Sequence, residues 1–196
     1  TPVLNMTPVV RVAAFSLFLL SLTFMAVGLA YQYKRPIPIR AVAFLFAGSV
    51  VFNIFILDFD RNSPLRILLH NLPYIAMVLV SIFIVLKSPR KRWLDYVFLA
   101  NLGLLAGHFA LRPFTAALLG GMGKTPGDYL STNYAAFDQT VLSVIGMGLV
   151  ALMAGTLVRD VFHALVKTSE TDPLSGLLNR RGFVDRAKMF VSSATS

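Results

Sequence analysis

Cysteine is absent from the 196 residues. That excludes disulfides, thiolate metal sites, a thiol nucleophile and the thioether attachment of a c-type haem. Acidic residues are scarce, with nine Asp and Glu against eighteen Lys and Arg, for a formal net charge of +9. Charged residues of both signs reach only 14%, well short of the roughly 25% of a soluble domain. Internal repeats and low-complexity tracts are also missing. The chain is filled with apolar residues instead: 56% are hydrophobic and the mean hydropathy is +0.71. This composition belongs to the membrane class. In that class a basic excess orients loops and does not imply nucleic acid. The expected surroundings are lipid, with no nucleic-acid partner.

Five apolar segments approach the roughly 20 residues needed to cross a bilayer. They run from Val9 to Tyr33, Arg40 to Leu57, Leu65 to Leu86, Trp93 to Leu111 and Tyr134 to Val158. The fourth is expected to continue past Pro113 to Leu119 as a kinked extension. The first is too long for a signal-peptide core and lacks a small-residue cleavage site. Thr1 in place of Met reads as a trimmed or processed start. The expected fold class is an all-α integral membrane protein, a bundle of five transmembrane helices. The expected division is a transmembrane domain over 1–158, a helical stalk over 159–171 and a polar, turn-rich tail over 172–196.

Charge fixes the orientation. Lys34, Arg35 and Arg40 follow the first segment, and Lys87, Arg90, Lys91 and Arg92 follow the third. Arg159, Lys167, Arg180, Arg181, Arg186 and Lys188 follow the fifth, which makes thirteen basic residues on one side. Arg11, Arg61, Arg66, Arg112 and Lys124 make five on the other. The positive-inside rule then places the amino terminus outside and the carboxyl terminus in the cytoplasm.

The longest connection, from Arg112 to Asn133, carries Gly123-Lys124-Thr125. It is not a P-loop: the first glycine of that motif would fall at Leu118, and no strand precedes it. It reads as a flexible loop or a lid. In the stalk, Leu157, Val161, Ala164 and Thr168 fall at 4-3-4 spacing. They form either a short pairing seam for a second copy or one face of an ordinary amphipathic helix. His163 reads as a solvated stalk residue. Pro173 disfavours helix at Asp172, so the stalk ends there, and Pro173 suits the first turn of a new helix carrying Leu177 to Phe190.

The tail Asp172-Pro173-Leu174-Ser175-Gly176-Leu177-Leu178-Asn179-Arg180-Arg181-Gly182-Phe183 resembles the opening of the GGDEF domain, the catalytic domain of diguanylate cyclases. Ser175 stands where Thr is usual. The resemblance implies an α/β domain that condenses two GTP molecules, with Mg2+, to cyclic di-GMP, one GTP per subunit of a homodimer. It implies a bacterial inner membrane with the catalytic side cytoplasmic, in agreement with the charge count. Asp172, Asn179 and Arg180 match the polar residues that fix the junction of stalk and domain. The metal-binding carboxylates and the signature loop lie beyond Phe183 in that family, and none falls before Ser196. The segment alone is therefore expected to be inactive, the sensory half of such an enzyme, with a membrane region like that of membrane-associated sensor proteins. A Gly-Gly-(Asp/Glu)-Glu-Phe sequence is expected about 60–90 residues further on, from the size of such a domain.

Ionisable residues inside a bilayer are functional candidates by default. Asp95, beside Trp93, reads as reaching water or the basic loop. Asn53, Asn71 and Asn101 read as interhelical hydrogen bonds, and Gly103 and Gly107 as a close-contact G-x-x-x-G. Asp138 and Gln139 either line a cavity or face the interface. His70 and His108 lie about 5–8 Å below the outer surface, on segments joined by a short inner loop. Arg66 is four residues before His70 and Arg112 four after His108, so each arginine shares its histidine's face. Two histidines on facing helices can hold a haem b axially, with the arginines on its propionates. A copper or zinc site on the same histidines is the second possibility. A purely structural role is the third, with hydrogen bonds to Asn71, Asn101 or backbone and snorkelling arginines. Rival functions are a cofactor-free sensor of a hydrophobic small molecule and a small transporter. The transporter would be expected to show inverted repeats and broken helices.

Overall fold

The structure is a computed structural model, and it describes residues 7–88, 92–170 and 177–194. Arg90, Lys91, Asp172, Pro173 and Ser175 lie outside the described residues, as do the side chains of His163, Lys167, Thr168 and Arg181.

Among the described residues the chain is helical, with no strand. The helices are α1 (Pro8–Gln32), α2 (Ile39–Phe55), α3 (Pro64–Leu86), α4 (Trp93–Leu118), α5 (Asn133–Glu170) and α6 (Arg180–Ala194), with a short 3-10 turn at Pro126–Ser131. Four helices, α1, α3, α4 and the Asn133–Phe162 part of α5, are long and apolar enough to cross a membrane. At 17 residues α2 is apolar but shorter. The extension of the fourth segment is present: α4 runs through Pro113 without interruption.

The chain divides into two compact units, 1–150 and 151–196. In the first, α3 is the central element, packing on α4, α1 and α2. Buried positions follow a 4-3 alternation: Phe15, Leu19, Leu22, Ala26 and Leu29 on α1; Ile67, Asn71, Tyr74, Val78, Ser81 and Val85 on α3; Phe98, Leu102, Leu105 and Phe109 on α4. Each set is one stripe of a helix turned to its neighbours, the near-parallel packing of bundles. The opposite faces are just as apolar, with Leu17, Phe24, Phe44, Leu79, Phe83 and Leu104 exposed, as lipid-facing surfaces require.

One reading is narrowed here and one is corrected. Of the two expectations for Asp95, the basic loop holds and water does not: it is 2% exposed and accepts from Tyr33 Oη at 2.7 Å and from the amide of Arg92, the last residue of that loop, at 2.7 Å. It thereby satisfies an open N–H at the start of α4 and ties α4 to α1. Gly103 and Gly107 mark no tight contact, since a Cβ at either would meet open space. The close approach is at Gly148, where a Cβ would run into the Asn101 amide.

In the second unit, α6 begins at Arg180, later than the sequence suggests. Asn179 is its cap: its Oδ1 accepts from the Gly182 amide at 2.9 Å and its carbonyl from Phe183 N at 2.9 Å. Asparagine outside the first turn supplies an acceptor that the helix lacks, so the start moves to Arg180.

Candidate functional site

The ends of five helices meet where α1, α3 and α5 begin and α2 and α4 finish. There the first unit encloses a cavity of about 320 Å³. Its floor and sides are apolar or aromatic, formed by Ala14, Phe15, Ile56, Leu57, Ile67 and Tyr74. Four arginines also line it: Arg11, Arg61, Arg66 and Arg112. Asp138 is the one carboxylate among its lining residues.

One arginine is neutralised. Arg112 grips Asp138 as a fork, Nε donating to Oδ1 at 2.8 Å and Nη2 to Oδ2 at 2.7 Å. Its Nη1 donates to Asn71 Oδ1 at 2.9 Å. Asp138, 3% exposed, also accepts from Tyr129 Oη at 3.2 Å and has His108 Nε2 3.0 Å from Oδ1. The His108 contact is close, but its ring N–H is poorly aligned for a hydrogen bond. Burial makes such a fork strong, because a charge left without its partner there is expensive.

The other three arginines have no carboxylate within ion-pair distance among the described residues. Arg66 Nη1 donates to the Phe59 carbonyl at 2.6 Å, and Arg61 Nε to the Met122 carbonyl at 3.3 Å. Arg11 Nε is buried without a hydrogen-bond partner. Burial lowers the Arg61 pKa; Tyr129 offsets part of this, and the neighbouring Arg11 adds to it. Both effects mark positive charge short of compensation.

A loop roofs the cavity. Gly120, Gly121 and Gly123 take positive φ, a conformation open to glycine at little cost. The Met122 amide donates to Asn62 Oδ1 at 2.8 Å, and Asn62 Nδ2 donates to the Gly123 carbonyl at 3.3 Å. Gly121 is required twice over, by its φ of 87° and because a Cβ would lie 2.8 Å from Asn62 Oδ1. Met122 and Tyr129 of this loop face the cavity, and Arg61 lies 5.7 Å from the Tyr129 ring centre. Burial, with Asp138 nearby, pushes the Tyr129 hydroxyl up to about 12. The loop is thus latched to the turn before α3 and does not hang free.

Of the residues singled out from sequence, His70, Arg66 and Arg112 line this one cavity, while His108 does not. Asn53 Nδ2 lies 2.9 Å from His70 Nδ1. An amide nitrogen only donates, so Nδ1 accepts and the neutral ring carries its proton on Nε2. Ring contacts lead from His70 through Tyr74 and Phe109 to His108. An axial pair on one haem needs both imidazoles open to a common space, and these two are not brought to one. No group of three or more His, Asp or Glu able to hold a metal ion occurs among the described residues.

Arg11, Arg61, Tyr129 and Tyr134 were missed as site residues. Arg11 had a usable signal, a charge three residues into an apolar run. Asn53 and Asn71 make the interhelical bonds expected of them. No protein-family model, curated protein or solved structure matches the chain.

Proposed function

We propose that this chain is the membrane sensory part of a diguanylate cyclase, with the arginine-lined cavity as its input site. The observation that carries the reading is the stretch Asp172–Phe183 and its resemblance to the entry of the GGDEF domain. The helix before it favours the same reading. At 38 residues α5 extends about 57 Å, well beyond a hydrocarbon core of about 30 Å. The chain crosses the membrane five times. At about 26 Å, α2 is at the short end of what spans. The amino terminus is outside, so the cavity opens toward the outer face and the tail enters the cytoplasm, where GTP is found. Occupancy is transmitted through Arg112 and Asp138, which join the cavity to α5. Two subunits must face each other for the condensation, so a small displacement of the stalk is enough to alter its rate.

A haem b on His70 and His108 has less support. It would require His108 to leave Asp138 and to reach the cavity that His70 lines. The oxidised and dithionite-reduced absorption spectra of protein expressed with haem supplied separate the two readings, and a colourless protein is expected.

The test of the main reading uses the full polypeptide in membranes, supplied with GTP and Mg2+. Formation of cyclic di-GMP at a rate that changes when the membrane part is deleted and the stalk kept is the expected result. Equal rates with and without the membrane part would overturn it. So would a polypeptide carrying no Gly-Gly-(Asp/Glu)-Glu-Phe sequence.

A further inference from the structure

We infer that the cavity binds a small organic carboxylate with an aromatic or short aliphatic body, an inference that rests on the cavity being the input site. The cationic groups that line it are arginines without exception. A guanidinium presents a planar fork of donors that matches a carboxylate, and it desolvates more easily than an ammonium. Three forks have no carboxylate within ion-pair distance among the described residues: Arg11, Arg61 and Arg66.

At the cavity Arg11 Nε is buried without a hydrogen-bond partner among the described residues, and Tyr134 Oη, 0% exposed, has beside it only the Asp138 carboxylate that Arg112 already holds. Buried donors are normally satisfied, and leaving one unsatisfied is costly. Together they mark a place where a further acceptor would be held. With Nδ1 of His70 accepting from Asn53, its Nε2–H is a further donor for that acceptor. The donors select an anion, and the walls select the rest of it. Phe15, Ile67 and Leu57 give no polar partner to a free inorganic ion, but they fit an apolar body. The volume of about 320 Å³ lies at the small end of ligand sites. It suits a single ring or a short chain.

Asp138 sets the consequence. It occupies one guanidinium fork of the cavity, and an incoming carboxylate competes with it for Arg112. The ligand thereby draws on the bond that ties α4 to α5.

The test titrates benzoate and hexanoate into the full protein held in phosphatidylcholine nanodiscs, read by calorimetry and by the unfolding midpoint. Benzamide, hexanol and inorganic phosphate serve as comparisons. Saturable binding of at least one carboxylate is expected, weakened about ten- to hundredfold in Arg11→Gln and in Arg66→Gln and unchanged in Arg159→Gln. Tyr134→Phe removes one hydroxyl from an otherwise intact site and is expected to weaken binding by about threefold or more, which covers the case in which an arginine variant fails to fold. Absence of carboxylate binding overturns the inference. So does benzamide or hexanol binding as tightly as its acid, which makes the site one for apolar ligands, or phosphate doing so, which makes it a bare anion site. Carboxylate binding lost when phosphatidylglycerol enters the nanodisc assigns the forks to a lipid headgroup and overturns it as well. Binding is read without cyclic di-GMP, so a failed cyclase assay and a failed titration are separate results.

Discussion

His70 and His108 have matching surroundings along the chain, each with an arginine one helical turn toward the same end of the bundle. In space they part. His70 faces a cavity, holds one neutral partner, Asn53, and shares the cavity with Arg61 and Arg66, which have no carboxylate within ion-pair distance among the described residues. His108 is closed in against Asp138, which also takes both arms of the Arg112 fork. Equal spacing on two helices sets which face a residue occupies and which end of the bundle it reaches. It does not set the partner, which comes from a third helix. On α5 that partner is an acid, and on α2 it is an amide. One side is therefore a network closed on an acid, and the other is a set of donors without one. An unfinished network of donors is what a ligand can complete.

The largest effect that separates the two sides is expected at Asp138. Asp138→Asn keeps the shape and removes the charge, leaving Arg112 buried opposite a neutral amide. Breaking one partner of a buried pair costs about 3–5 kcal/mol, so unfolding followed by circular dichroism in detergent should show a loss of that order. The double variant Asp138→Asn, Arg112→Leu should recover part of it, because removing both charges is milder than orphaning one. A loss below about 1 kcal/mol in the single variant would mean that the closed side is not held by charge, and the comparison would collapse.

A much smaller effect belongs to the open side. Asn53→Ala removes the partner of His70 Nδ1, a neutral hydrogen bond between α2 and α3. The expected loss is about 1 kcal/mol, read by the same unfolding measurement. A loss as large as that of Asp138→Asn would show that His70 is as firmly built in as His108, and the contrast would have to be abandoned.

Much of the fold was legible because the loops are strongly punctuated. Pro36 and Pro38 precede α2, Ser63-Pro64 opens α3, and the basic run ending at Arg92 precedes α4. The inward stripes were not legible. A helix in lipid must be apolar all round, so Leu19 and Leu17 look alike in sequence although one is buried and the other exposed. The site was half legible. His70, Arg66 and Arg112 reach the same end through helix arithmetic alone. Asp138 was singled out, but its choice of His108 and Arg112 depends on how α5 settles against α4, where Gly148 lets Asn101 come close. Arg11 and Arg61 were read only as topology charges, because no local pattern ties either to a cavity closed by a loop more than sixty residues further on.

The smallest expected effect lies in that loop. Asp128 Oδ2 accepts from the Thr125 amide at 2.9 Å and from its hydroxyl at 2.8 Å. These bonds, the backbone one first, hold the Asp128 pKa below the usual carboxylate value. Because the folded value is the lower one, the bonds stabilise the loop above the unfolded value of about 3.9, and the contribution is lost as pH falls through the lowered folded value. Asp128 is fully exposed to solvent, so the effect is local and small. Amide protection factors for the loop over residues 120–132 should fall on acidification below about pH 4, while those of α3 and α4 hold. Asp128→Asn should remove that pH dependence. The roof belongs to the open side, since Met122 and Tyr129 cover the cavity that His70 lines. If acid instead loosened α4 around His108 before it loosened the loop, the closed side would be the weaker one, and the assignment of open and closed would have to be exchanged.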